Sequence, residues 1–424
     1  MTTLDPVPRQ GPLCPVVHGR PYDALSVDAA IDPEPWLSQA RAEQPVFYLP
    51  EQDVWCVTRY ADILEVLRNP ATYSSRYANK FRPMSSAGLR EVYPNGHPGL
   101  HSMLLKDPPE HSRIRRLANT AFTPKMVAAM EPRIRARCHA LIDTFIADGH
   151  CELVSQYSSE LTVGTMMDIS GAPKTLGEEF ARWGQDYFAL TAGAPPLSAE
   201  QERDLASRAR RMTAWLNDSV QARRAAPGDD FISALITATT SEGDPALSYD
   251  EVVGVLNSMM VAGVETTAIF IPTLVRELIA RPEVREQVVA DPSILPAVVD
   301  EGLRMWPPAR GVRRTATREV ELGGVTIPEG SDVFVLYVSA NFDDTVFGDP
   351  SRFDPGRRNA ERHLSFGKGV HFCIGAPLAK AETVQAVAVL FERISDLRLA
   401  DDDIEEWVPH MTLPRRQTLR LEWP

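Results

Sequence analysis

Residues 366–375 read Phe366-Gly367-Lys368-Gly369-Val370-His371-Phe372-Cys373-Ile374-Gly375. Three glycines surround one cysteine in a tight loop. Glycine lets a backbone turn sharply and lets a bulky group come close. The loop feeds directly into a helix that starts near Ala376, with Pro377 in its first turn, where the missing N–H costs nothing. A helix N-terminus favours negative charge, and amides there can donate to a thiolate and lower its pKa. The loop is therefore suited to holding a sulfur anion against a flat ligand.

Outward from the loop, residues 341–372 read as irregular, and residues 310–340 as antiparallel strands with turns at Gly323-Gly324 and Pro328-Glu329-Gly330. A helix is expected over Leu295–Met305, stopped by Pro307 and Pro308. From Pro109 to about Ala280 the pattern is mostly helical. Its clearest element begins at Ser248, where Ser248 and Glu251 have capping-box spacing. The run that follows, VVGVLNSMMVAGVETTAIFIPTLVRELIA, is apolar nearly all round, as in a helix at the centre of a large protein. At roughly 30 residues it exceeds the usual globular helix, and Pro272 inside it should bend it or mark a local defect. Residues 45–59 read as a hairpin, residues 70–105 as loop, and residues 1–35 as an irregular, proline-containing arm.

The chain has 424 residues, 44% hydrophobic and 24% charged, an ordinary globular balance. No internal repeat or low-complexity tract appears, and no clean linker divides the chain. A formal net charge of -13 argues against broad binding to nucleic acid or an anionic membrane. The five cysteines (Cys14, Cys56, Cys138, Cys151 and Cys373) are odd in number and widely spaced, which points to a reducing compartment. The start, MTTLDPVPRQ, has no apolar run, and no window reaches the ~18 consecutive apolar residues of a spanning helix. A cytoplasmic protein is expected, with neither a membrane nor a nucleic-acid partner.

The ten-residue loop resembles, position for position, the haem-binding loop of the cytochrome P-450 family, F-G-x-G-x-H-x-C-x-G. Three further segments resemble family elements in the right order. Ala262-Gly263-Val264-Glu265-Thr266 is similar to the oxygen-activation segment of the central helix. Glu301-Gly302-Leu303-Arg304 is similar to the E-x-x-R element, and Asp349–Arg357 to the stretch leading into the haem loop. One departure is Phe342, where relatives often carry a basic residue.

The resemblance implies a mainly α fold with small β-sheets, a triangular single domain over residues 1–424 around a buried haem b. It implies that Cys373 ligates the iron, with Phe366, Gly367 and Gly375 of the loop also against the haem. A thiolate ligand pushes electron density to the iron and favours O–O cleavage. Ala262 and Gly263 would leave room for porphyrin and dioxygen. Thr266 and Glu265 would be the catalytic pair, the alcohol assisting oxygen activation and the acid relaying protons. Thr266 could also bond back to the carbonyl four residues earlier. Ser258, Val261, Ala262, Glu265 and Thr266 recur at helical spacing, so one face is expected to look onto the iron.

Buried haem carboxylates need cations. The resemblance suggests His111, Arg115, Arg314 and His371, with neighbouring Arg313 facing the other way and Arg113 and Arg116 solvated. Glu301, Arg304 and Arg357 would form a structural network behind the loop. Electrons are expected from a separate ferredoxin and ferredoxin reductase, docking on a cationic patch around Arg113, Arg116, Lys368 and Lys380. The substrate would be a small or medium organic molecule, oxidised with dioxygen. Residues 73–105, 186–198, 309–312 and Met411–Leu413 would line its pocket, and Arg310 could anchor an acid. Alternatives are a peroxide-driven peroxygenase, against which the Glu265-Thr266 pair argues, and a non-enzymatic haem-thiolate sensor, for which no signalling module is apparent.

Overall fold

The computed structural model describes residues 14–76, 78, 101–189 and 197–424. The apolar run after Ser248 forms one helix, Tyr249–Ile279, 31 residues long with Pro272 inside it. Its start is the expected capping box. Ser248 Oγ accepts from the Glu251 amide at 3.2 Å, and the Glu251 carboxylate accepts from the Ser248 amide at 2.8 Å. This helix is apolar enough by length and composition to cross a membrane, but here it is buried in the protein. Helices Ser159–Ser170, Gly177–Ala189, Ala199–Ala225 and Ala376–Arg393 pack around it. The largest apolar cluster runs in sequence from Met103 to Leu421.

Beside the helices lies a five-stranded sheet in the order Val46–Leu49, Val54–Val57, Asp332–Leu336, Gly311–Ala316, Tyr73–Ser74. The expected 45–59 hairpin is its edge, in the register Phe47↔Cys56. The strands expected over 310–340 are present with two differences. Asp332–Leu336 pairs parallel with Val54–Val57, and residues 337–340 form a helical turn. The helix Leu295–Met305 has the expected limits.

The arm over residues 1–35 is corrected from residue 16 onward; residues 1–13 lie outside the described residues. Val16–Val17 pairs with Arg20–Pro21, and Val27–Ile31 is a helix. The cause is local. Ser26 caps this helix by accepting from the Ala29 amide at 3.1 Å, and a second helix, Glu34–Glu43, has proline in its first turn. A reading that weighed proline content alone overlooked both signals.

Candidate active site

The cysteine loop is closed on itself before anything else touches it. The Cys373 amide donates to the Phe366 carbonyl at 2.9 Å, and the Gly367 amide to the Leu364 carbonyl at 2.7 Å. Gly367 and Gly369 have φ of +69° and +72°, a region costly for other residues. A Cβ on Gly369 would also lie 2.4 Å from the Leu67 carbonyl oxygen. Gly375 caps helix Ala376–Arg393. The amides of Gly375 and Ala376 donate toward the sulfur, and Arg115 adds positive charge. These favour the thiolate. Burial opposes them and leaves the free thiol's pKa raised, so a metal cation at the sulfur would complete what the amides begin. Phe366 packs between His363 and Phe372, at ring-centroid distances of 5.6 and 6.3 Å.

Behind the loop is a closed polar network. Glu301 accepts from Arg304 Nε and Nη2, both at 2.8 Å, from Arg357 Nε at 3.0 Å and from the Asp354 amide at 3.0 Å. Arg304 also donates to the Asn341 carbonyl at 2.8 Å. The Asn341 side chain holds Ser365 Oγ at 3.0 Å and the Leu364 amide at 2.7 Å, so the network reaches the loop itself. Phe342 lies under the Arg304 guanidinium, 5.6 Å from ring centroid to Cζ. An aromatic ring there suits a cation from beneath.

In front of the loop the polar groups are not closed. His111 and His371 pack with ring centroids 4.1 Å apart. Both His111 ring nitrogens and Nε2 of His371 are buried without a hydrogen-bond partner among the described residues. The charges of Arg115 and Arg314 reach both rings. Burial, then Arg115, pushes His111 down to about 4, so it stays a neutral imidazole. Arg314 is 7% exposed and, among the described residues, donates only to its neighbour's carbonyl, Arg313 O, at 2.7 Å. Arg313 faces the opposite side, toward Asp332 at 3.5 Å and Met411 Sδ at 3.4 Å. His111, Arg115, Arg314 and His371 thus converge in front of Cys373. Buried donors without acceptors call for an anion. With a thiolate alongside, this set fits haem and its two carboxylates.

The central helix divides the face expected to look onto the iron. Ala262 is exposed and Ser258, Gly263 and Thr266 are half-buried in the middle of a mostly buried helix. Val261 and Glu265 are buried, at 3% and 6%. Five positions from i to i+8 span an arc too wide for one neighbour, and Glu265 falls on the edge that meets helix Gly177–Ala189. A Cβ on Gly184 would lie 2.6 Å from Glu265 Cγ. Burial pushes Glu265 up to about 7, with Arg415 lowering it and Asp186 raising it. Thr266 Oγ1 donates to the Ala262 carbonyl at 2.8 Å. At Gly263 a Cβ would lie 2.7 Å from Met166 Sδ, so the missing side chain also serves helix packing.

Other expected positions also move. Arg310 is neither a substrate anchor nor solvated. It is half-buried and donates to the carbonyls of Ala29 and Ala30, at the end of helix Val27–Ile31. Met411 belongs to the apolar cluster on that side of the sheet. Of the other expected pocket segments, residues 77, 79–100 and 190–196 lie outside the described residues. The expected cationic patch is largely neutralised. Arg113 pairs with Glu251, Arg116 with Asp244 at 2.6 Å and Glu242 at 3.2 Å, and Lys380 with Asp300. What the loop does present is apolar: Val370 and Phe372 are 36% and 40% exposed, with Lys368 Nζ 5.9 Å from the Phe372 ring centroid. Sequence reasoning missed Tyr337, buried beside Arg314, and Glu382, fully enclosed on the C-terminal helix.

Comparison with known proteins agrees with this geometry. A family model described as Cytochrome P450 matches residues 196–405. The erythromycin C-12 hydroxylase of Saccharopolyspora erythraea is 34% identical over 95% of this chain and 93% of its own. The mycinamicin IV hydroxylase/epoxidase of Micromonospora griseorubida is 34% identical over 88% of this chain and 90% of its own. The solved cytochrome P450 CREJ, in complex with (4-ethylphenyl) dihydrogen phosphate, superposes with a TM-score of 0.87 at 29% identity, covering 95% of this chain and 99% of that one. The cysteine loop, the open set of basic groups before it and these relatives lead to one conclusion: the chain belongs to the cytochrome P450 family and is a bacterial-type haem-thiolate monooxygenase that binds haem b.

Proposed function

We propose that Cys373 is the iron ligand, that His111, Arg115, Arg314 and His371 hold the haem carboxylates, and that Thr266 and Glu265 manage protons during oxidation of a natural-product intermediate. The observation that carries this is the convergence of four basic side chains, three of their ring nitrogens unpartnered among the described residues, in front of Cys373 at a helix N-terminus. Bound haem supplies the activation of dioxygen that protein side chains lack. Arg115 and Arg314 supply planar donors suited to carboxylates. The amides of Gly375 and Ala376 hold charge on the sulfur. Glu265, with a pKa of about 7, can both take and give a proton near neutrality. Thr266 offers a hydroxyl on the accessible side of the same helix.

The erythromycin and mycinamicin hydroxylases among the relatives support a substrate of natural-product type. Electrons come from a separate ferredoxin and its reductase, and the exposed Val370 and Phe372 with Lys368 beside them form the docking surface we favour over Arg113 and Arg116. The apolar core running from Met103 to Leu421 supports reading residues 1–424 as one domain. Five free cysteines support a cytoplasmic setting.

Thr266→Ala tests the oxygen-and-electron route. The variant should retain haem yet yield about a hundredfold less product per electron, the range of a lost proton-transfer group, with the balance appearing as hydrogen peroxide. Unchanged coupling would remove Thr266 from the mechanism.

A further inference from the structure

One buried polar side chain beside the site has no role in this reading. Tyr337 follows strand Asp332–Leu336 directly and is 4% exposed. The cross-strand pairs Val333↔Arg314 and Val335↔Val312 place Arg314 on the face that Val333 and Val335 share. The strand's two-residue period carries Tyr337 to that face as well, and all three belong to one apolar cluster, while Phe334 and Leu336 belong to another.

The hydroxyl of Tyr337 lies against the cysteine loop: a Cβ on Gly367 would be 3.1 Å from it. After burial, Arg314 is the strongest influence on its ionisation, followed by Cys373. Burial pushes the phenol up to about 12, so it is an O–H donor at neutral pH. Among the described residues nothing hydrogen-bonds to it. The ring is buried, and a hydroxyl there without a protein acceptor gains nothing over phenylalanine, which would fill the same space. Tyr337 therefore adds a donor without a protein acceptor beside Arg314 and the cysteine loop, next to the unpartnered nitrogens of His111 and His371.

We infer that Tyr337 is a fifth haem-binding side chain, its hydroxyl donating to the same carboxylate that Arg314 holds. The inference rests on the reading of Arg314 given above. It makes the turn after the strand, and not only the strand, part of the cofactor site. The helical turn 337–340 also carries the link to Asn341, whose amide donates to the Tyr337 carbonyl at 3.0 Å. Cofactor seating and the closed network behind the loop would then meet at this residue.

The test is haem release from the holoprotein to excess apomyoglobin. Tyr337→Phe should release haem about tenfold faster than the parent, the equivalent of one hydrogen bond to a charged group. With haem dimethyl ester, whose carboxylates are blocked, the same substitution should change release by less than about twofold. Arg314→Leu is the control for the underlying reading and should accelerate release at least as much. If Arg314→Leu accelerates release and Tyr337→Phe does not, the inference is overturned and the site reading stands. If neither substitution matters, the carboxylate reading itself falls. Equal acceleration by Tyr337→Phe with both cofactors overturns the inference and assigns the residue to loop packing.

Discussion

Glu301 and His111 are both buried polar side chains within reach of the cysteine loop, yet their surroundings differ. Glu301 accepts from two arginines and a backbone amide, and the bonds continue through Asn341 into the loop. His111 has two ring nitrogens and, among the described residues, a hydrogen-bond partner for neither. A network that satisfies itself has nothing left for a ligand and can only hold a shape. A group of donors left open in a folded interior holds a place for something else. The contrast separates scaffold from site here without reference to any reaction.

Breaking the closed side should have the largest effect. Arg304→Leu leaves the Glu301 charge inside with only Arg357 opposite it, and removal of one partner from a buried pair costs about 3–5 kcal/mol. Chemical denaturation of the variant should show that loss, with poor retention of haem because the loop is no longer held. Stability unchanged to within about 1 kcal/mol would mean that the network is ornamental.

Glu382 sharpens the comparison from the other direction. It is buried, its Oε1 has no partner among the described residues, and burial raises its pKa to about 8 from an ordinary 4.5, with Thr165 opposing. A carboxyl raised in the folded state is neutral there at ordinary pH. Its contribution to stability is complete below about 4.5 and is lost progressively as pH rises through about 8. Relative to the parent, Glu382→Gln should therefore gain stability across that window, by a few kcal/mol at its upper end. Parallel stability curves for the two proteins would show that Glu382 titrates normally.

The smallest effect expected is at the surface. Lys368→Glu should slow reduction by an acidic ferredoxin several-fold at low salt, and the difference should shrink as salt rises. Reversal of Arg113, already paired with Glu251, should do less. If Arg113 proves the more sensitive, the docking surface lies where the sequence first suggested.

What could be read from the chain alone divides along the same line. The cysteine loop, the capping box at Ser248, the helix Leu295–Met305 and the Glu301–Arg304 pair depend on residues close in sequence, and the pattern carried them. Strand alternation also implied that Arg313 and Arg314 face opposite sides, and the resemblance, through the distance to Gly324, pointed to Arg314. Destinations across the fold did not follow. Arg310 has the charge to greet an acid, but residues 29 and 30 reach it from about 280 positions away. That Gly263 also makes room for Met166 of another helix could not be read from its neighbours in sequence. Arg113 and Arg116 looked solvated because their carboxylate partners lie about 130 residues on. Tyr337 and Glu382 gave no signal, since an aromatic after a strand and a glutamate in a helix are ordinary until burial isolates them.

The bond between the Cys373 sulfur and haem iron is most directly tested by the absorption spectrum of the reduced, carbon monoxide-treated holoprotein. The parent should show the red-shifted carbonyl band of a thiolate ligand, and Cys373→His should retain haem while losing both that band and monooxygenation. A parent without the shifted band, or a histidine variant that keeps it, would contradict the account.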